Sequence, residues 1–237
     1  MRWGFYEYVP VAEKKESARK KLEQLRKKDP SMQPVTVCGR KIAATFWGAA
    51  WNRNLESYAD FSHRLERGRS YIRNGMVLDL RIDEGRIRGL VMGSRKTPYK
   101  VEVDIDKLPE RKWKAVAEEC GRKIGGIDEL VGGTFPKEYA EIFLNQEKGL
   151  FPSPKEIRFS CSCPDWAGMC KHVAAVLYGV GARLDTDPLL FFKLRGIDFG
   201  ELIKRSAREK MESMLKNAHA KTPRILKDAD IAGIFGI

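Results

Sequence analysis

The sequence has no apolar run near the ~18 residues that a membrane-spanning helix needs, so no membrane association is expected. Residues 1–10 are aromatic and mixed in character and lack the apolar centre of a secretion signal. We therefore expect a cytoplasmic protein. With 237 residues, 43% of them hydrophobic and 32% charged, the chain is long enough for one large or two small globular domains.

Cysteine and histidine are scarce, with five and three copies. An odd number of cysteines in a chain of this length does not suit a disulfide framework, and cytoplasmic proteins keep their thiols reduced. Three of the cysteines and one histidine nevertheless fall within twelve residues, from Cys161 to His172. Cys38 and Cys120 have no cysteine or histidine nearby and are interpreted as small core residues.

Motifs of the common enzyme classes are absent. The sequence has no glycine-rich loop ending in Gly-Lys-Ser/Thr, no His-Glu-x-x-His and no convincing carboxylate triad. Isolated acids such as Asp79, Asp104 and Asp106 are interpreted as strand and turn residues. An enzyme, for example a nuclease or a transposase-like protein, is therefore the least favoured interpretation, and no small-molecule substrate is expected.

Positive charge is in excess, with 44 Lys and Arg against 32 Asp and Glu and a net charge of +12. Such an excess favours polyanionic partners, nucleic acid first. Residues 61–100 hold ten basic side chains against four acidic ones, and eight of the ten are arginine, which suits bidentate phosphate contact. The alternative is a basic sheet face that only contacts water.

Residues chosen as nucleic-acid contacts lie mainly in this basic segment. The turn 93–97 offers backbone N–H groups beside two cations, and Lys171, which lies between Cys170 and His172, is expected to point away from both. The predicted contacts are Arg69, Arg73, Arg81, Arg86, Arg88, Arg95, Lys96 and Lys171.

Hydrophobic periodicity predicts an α+β fold. A charged helix at 11–29 is followed by a helix at 46–58 with one aromatic face. From Ser70 to Ile105 the period changes to two, which predicts a three-stranded antiparallel meander with one apolar face. Because a lone meander is only marginally stable, we expect the aromatic helix to cover that face.

The chain is predicted to fall into four parts. An N-terminal α+β domain with a basic antiparallel sheet takes residues 1–106, and a helical connector takes 107–150. A metal-bound strand and helix form the module 151–182, which is followed by helices and an apolar tail over 183–237. The Pro-rich stretch 151–154 is the expected hinge.

The cluster of Cys161, Cys163, Cys170 and His172 has the composition of a structural zinc site. Alternation from Ile157 predicts a strand that puts the first two sulfurs on one face, and an apolar helix begins near the histidine. Four ligands close the coordination sphere, so a single bound Zn²⁺ is expected to be structural. A disulfide would leave one thiol over, and residues two apart in sequence, such as Cys170 and His172, rarely meet as a catalytic nucleophile and its base.

The pattern Cys-x-Cys-x6-Cys-x-His, followed by an apolar helix, resembles the SWIM zinc finger. Upstream, the stretches 46–56, 67–75 and 93–99 look like the N-terminal part of prokaryotic SWIM proteins. The resemblance covers roughly residues 42–179. It implies zinc binding and contact with DNA or protein, beside Swi/Snf-type helicase-like ATPases, with no catalytic activity in the finger.

Two functions remain open from the sequence. The first is a non-catalytic zinc-binding protein that contacts DNA, a Swi/Snf-type ATPase or both. The second is a protein–protein adaptor without nucleic-acid binding, whose docking elements would be the amphipathic helix 202–218 and the apolar tail 231–237.

Overall fold

The structure, a computed structural model, describes residues 9–37, 39, 41–57, 62–122, 142–143 and 149–218. Its helices are α1 (Val11–Arg26), α2 (Phe46–Glu56), α3 (Ser62–Arg73), α4 (Glu110–Arg122), α5 (Lys171–Leu184), α6 (Leu189–Leu194) and α7 (Phe199–Ala218). Its strands are β1 (Val77–Asp83), β2 (Arg86–Val91), β3 (Tyr99–Ile105) and β4 (Ile157–Cys161). Among these helices, none is long and apolar enough to cross a membrane. Predictions for Cys38, most of 123–148 and the tail concern residues outside these ranges.

The strands form one antiparallel sheet in the order β1-β2-β3-β4. The α+β class is confirmed, but the prediction of three strands is wrong. The fourth strand, β4, pairs with β3 so that Val101 lies opposite Cys161 and Val103 opposite Phe159. This strand belongs to the segment expected to form a separate metal-bound module. The division of the chain into four parts stays a prediction, and the sheet joins the first part to the third.

Helix α5 lies at the centre of the fold. It packs against all four strands, while α2 and α3 pack against α5 itself. The expectation that the aromatic helix α2 covers the sheet is therefore wrong. Every residue of α5 from 172 to 181 is buried, because the helix is surrounded by the sheet and two other helices.

Small residues let the neighbouring elements approach α5 closely. A Cβ atom on Gly48 of α2 would collide with the carbonyl oxygen of Gly181, and one on Gly68 of α3 would lie 2.6 Å from the Cβ of Ala174. The end of α5 also fixes the start of α2. The Asp185 carboxylate accepts hydrogen bonds from the backbone N–H groups of Ala44 and Thr45, at 2.5 and 3.1 Å.

Aromatic side chains pack between α2 and α6. Trp47 and Trp51 are buried, as the aromatic stripe predicts, and the Trp51 indole donates a 2.9 Å hydrogen bond to the carbonyl oxygen of Leu177 in α5. Their rings contact Phe191 and Phe192 of α6 at centroid distances of 5.8 to 6.2 Å. The hydrogen bond satisfies the one polar group of Trp51, so the ring can be fully buried.

A buried ion pair anchors the chain around β4. Arg195 is fully buried, and its guanidinium lies 2.8 Å from a carboxylate oxygen of Glu156. The other oxygen of Glu156 accepts hydrogen bonds from the backbone N–H and the hydroxyl of Ser153. Burial raises the pKa of Glu156, but the hydrogen bonds from Arg195 and Ser153 outweigh it and hold that pKa below its usual value.

We expect Glu156→Gln to destabilise the protein by about 3–5 kcal/mol, because it leaves the buried charge of Arg195 without a counter-charge. Chemical denaturation at neutral pH measures the loss. Since the folded-state pKa of Glu156 is lowered, the contribution is complete above the unfolded-chain pKa of about 4.3 and is lost as the pH falls through the folded-state pKa.

The matched control is Glu84→Gln. Glu84 also pairs with a cation, Lys107, but the two side chains are 54% and 68% exposed. Its loss should cost less than about 1 kcal/mol. Equal effects of the two substitutions would contradict a structural role for the buried pair.

Candidate metal centre

Two elements of the core bring the four predicted ligands together. Cys161 ends β4, and Cys163 follows it by two residues. Cys170 is the residue immediately before α5, and His172 lies in the first turn of that helix. The pairing of β4 with β3 and the burial of α5 therefore fix both halves of the site.

The ligand atoms of Cys161, Cys163, Cys170 and His172 all lie within 4.8 Å of one another. The Nδ1 atom of His172 is 3.9 Å from the Sγ atom of Cys161 and 3.8 Å from that of Cys170. Tetrahedral zinc with sulfur and nitrogen ligands separates those ligands by about 3.6–3.8 Å. The four residues thus fit a single structural zinc ion, and they fill all four of its coordination positions.

Aromatic packing sets the orientation of the His172 ring. The ring of Tyr99 lies 4.3 Å from it, and the ring of Tyr71 meets it edge-on at 5.5 Å. A Cβ on Gly93 would collide with Tyr99 and lie 3.2 Å from the Nε2 atom of His172. Within the described part of the chain, this buried Nε2 has no hydrogen-bond partner, so ring contacts take the place of the usual polar support.

The surroundings of the three cysteines favour the thiolate form at Cys170 over the thiolate form at Cys161 and Cys163. A hydrogen bond from Cys161 lowers the pKa of Cys170, and His172 adds to this effect against the opposing influence of burial. The same hydrogen bond raises the pKa of Cys161, and burial raises that of Cys163. Cys170 also adjoins the N-terminus of α5, where the helix dipole favours negative charge. A thiolate is the form of cysteine that binds zinc.

Arg64 of α3 holds the loop between the two ligand pairs. Its guanidinium lies 2.6 Å from the carboxylate of Asp165 and 5.5 Å from the ring centre of Trp166. The hydrogen bond from Arg64 lowers the pKa of Asp165, and the nearby charge of Lys171 lowers it further. Sequence reasoning missed this contact, because nothing local to either residue indicates it.

Four of the residues predicted to contact nucleic acid form ion pairs with acids of the protein, and their contact with nucleic acid stays a prediction. Each of their guanidinium groups lies 2.7–2.9 Å from a carboxylate oxygen. The pairs are Arg69 with Glu56, Arg81 with Asp29 and Asp79, Arg86 with Asp104, and Arg88 with Asp83. The open face of the sheet is therefore close to charge-balanced, since β3 contributes Glu102 and Asp104, which lie beyond the basic segment.

The other predicted contacts have different surroundings. Arg95 and Lys96 are exposed in the loop after Gly93, and the Arg95 guanidinium lies 5.7 Å from the ring centre of Tyr99. Lys171 is half-buried between two zinc ligands, and Arg73 is exposed at the end of α3. The structure brings the loop and Lys171 to the zinc site, because Tyr99 and Gly93 both adjoin His172.

Arg67 is an exposed cation that is not among the predicted nucleic-acid contacts. Its spacing from Arg64 and Tyr71 places all three on one face of α3, the face that contacts the zinc loop and His172. Burial raises the pKa of Tyr71, and the charge of Arg67 partly opposes this, so the two side chains are close. The helical spacing from Tyr71 is the signal that could have identified it.

Comparison with known proteins agrees with this site. Residues 159–180 match the family model of the SWIM zinc finger, which covers all four ligands, so the chain carries a SWIM zinc finger. The chain is also similar to the uncharacterized protein Rv2102 of Mycobacterium tuberculosis, with 34% identity over 167 residues. That alignment covers 70% of this chain and 60% of the relative, so the chain spans less than two thirds of its length. No solved structure matches the chain.

We expect Cys163→Ser to lower the zinc content from one ion per chain and to lower the melting temperature, because the ion links β4 to the central helix. Elemental analysis and thermal denaturation measure the two effects. Removal of zinc from the unchanged protein by a chelator should lower the melting temperature in the same way.

Cys120→Ala is the control. Cys120 is fully buried in α4 and lies outside the cluster. Its substitution costs packing energy but should leave one zinc ion bound. Full zinc retention in Cys163→Ser would exclude that residue as a ligand.

Proposed function

We propose that this protein is a non-catalytic DNA-binding protein whose structural zinc finger shapes the contact surface. We call this contact surface the zinc-end surface, and it consists of Arg67, Arg95, Lys96, Lys171 and Trp166. The observation that carries the proposal is that three separate parts of the chain bring cations to one metal site. These parts are α3, the loop between β2 and β3, and the start of α5.

Charge supports the zinc-end surface over the open sheet face. Arg86 and Arg88 form ion pairs with carboxylates of the same sheet. The acid on the zinc loop, Asp165, is paired with Arg64, whose side chain is mostly buried. The cations of the zinc-end surface are exposed or half-buried, and such cations attract the phosphate backbone.

A partner protein is the second part of the proposal. The resemblance to prokaryotic SWIM proteins makes a Swi/Snf-type ATPase the candidate partner. Helix α7 supports an adaptor role, because Met211, Met214 and Leu215 are 63–65% exposed along one side of it. An adaptor without DNA binding is the alternative function.

We expect DNA binding to weaken steeply with salt and the double variant Arg95→Ala/Lys96→Ala to reduce the slope of log K against log salt. Each lost phosphate contact lowers that slope by about 0.9, so the variant should lose nearly 2. Fluorescence anisotropy with a labelled oligonucleotide at several salt concentrations measures the slope.

The matched control is Arg86→Ala/Arg88→Ala, which removes the same formal charge from the sheet face and should leave the slope unchanged. Equal loss in the two double variants would point to diffuse attraction by net charge. If the unchanged protein has no measurable affinity at ~50 mM salt, the adaptor function replaces this one.

A further inference from the structure

Trp166 is exposed to an unusual degree for its size. Its side chain is 82% exposed, whereas Trp47 and Trp51 are 4% and 0% exposed. A large aromatic surface in water costs free energy that folding has not recovered. An exposed tryptophan on a positively charged surface is the arrangement with which proteins stack on nucleobases.

The ring is also held in place. Trp166 lies on the short loop between the zinc ligands Cys163 and Cys170, so metal binding fixes both ends of its loop. The guanidinium of Arg64 lies over the ring at 5.5 Å, and its ion pair with Asp165 fixes the preceding residue. A ring that is already ordered loses little conformational entropy on binding, which favours tight contact.

Cations flank this ring where a nucleic-acid backbone would pass. Lys171 is close enough to Asp165 to lower its pKa, and Arg67 lies one helical turn beyond Arg64 on α3. The exposed residues of the loop besides Trp166 are Pro164 and Gly168, and its one other large apolar side chain, Met169, packs against the core. An interface with a protein usually surrounds such a tryptophan with other exposed apolar side chains. Trp166 is flanked by cations, which suits an anionic partner whose flat rings can stack on the indole.

We propose that Trp166 stacks on an unpaired nucleobase, so that this protein prefers single-stranded DNA to duplex. This inference rests on the proposed DNA binding and adds the form of DNA that is recognised. Bases within a duplex already stack on each other and do not present a free face to a side chain. The contact tolerates any base, because every base has an aromatic face.

The test compares Trp166→Ala with the unchanged protein, both zinc-loaded, in binding an oligo(dT) strand, a duplex, and a strand of the same length with abasic sites. We expect Trp166→Ala to weaken binding to oligo(dT) about tenfold or more. Binding to the duplex and to the abasic strand should change less than twofold. Zinc content and circular dichroism establish that the variant is folded.

Two further variants sharpen the result. Trp166→Phe keeps an aromatic face and should bind oligo(dT) within about threefold of the unchanged protein, but it should lose the share of tryptophan fluorescence that the strand quenches. Leu189→Ala removes another exposed apolar side chain, 45% exposed and outside the zinc loop, and should bind all three probes normally.

The outcomes separate this inference from the proposed function. If the unchanged protein binds DNA and Trp166→Ala binds oligo(dT) equally well, stacking is excluded while DNA binding stands. If Trp166→Ala weakens oligo(dT) and the abasic strand equally, the ring does not contact a base and the inference is wrong. If the unchanged protein binds none of the probes, DNA binding itself fails and the inference fails with it.

Discussion

Coordination of one zinc ion by Cys161, Cys163, Cys170 and His172 joins the last strand of the sheet to the first turn of its central helix. Both partners of this junction are core elements, since β4 pairs with β3 and α5 is buried along most of its length. Zinc binding to finger peptides carries apparent free energies of about 10–16 kcal/mol, which equals or exceeds the whole stability of a typical domain. In this protein the metal therefore acts on the fold as a whole.

The same junction brings together the zinc-end surface that is proposed to bind DNA. The four-stranded sheet buries its inner face against α5 and neutralises much of its outer face through pairs such as Arg86 with Asp104. The cations at the zinc end lie on α3 and on the loop after β2, and both of these elements contact the zinc finger, at His172 and, for α3, also at Asp165. A structural ion with all four coordination positions filled by the protein can thus organise the surface that is proposed to bind DNA.

Local patterns in the sequence were enough to predict the metal ligands and the meander. Ligand pairs two residues apart, and strands joined by tight turns, depend on neighbours in the chain. The place of β4 could not be predicted in this way, because its partner strand β3 lies far from it in sequence. The central position of α5 was also missed, since its glycine and alanine residues matter only once Gly48 and Gly68 of other helices pack against them. For the same reason, a count of charges does not show that Arg86 and Arg88 pair with acids on adjacent strands, or that Arg81 pairs with Asp29 on the loop after α1.

Hydrogen exchange on the zinc-loaded protein and on the same protein stripped by a chelator tests the central role of the metal most directly. The account predicts that removal of zinc abolishes the protection of backbone amides along α5 and in the paired strands β3 and β4, together with that of α2 and α3. Loss of protection confined to the loop 162–170, with α5 and the sheet still protected, would contradict it.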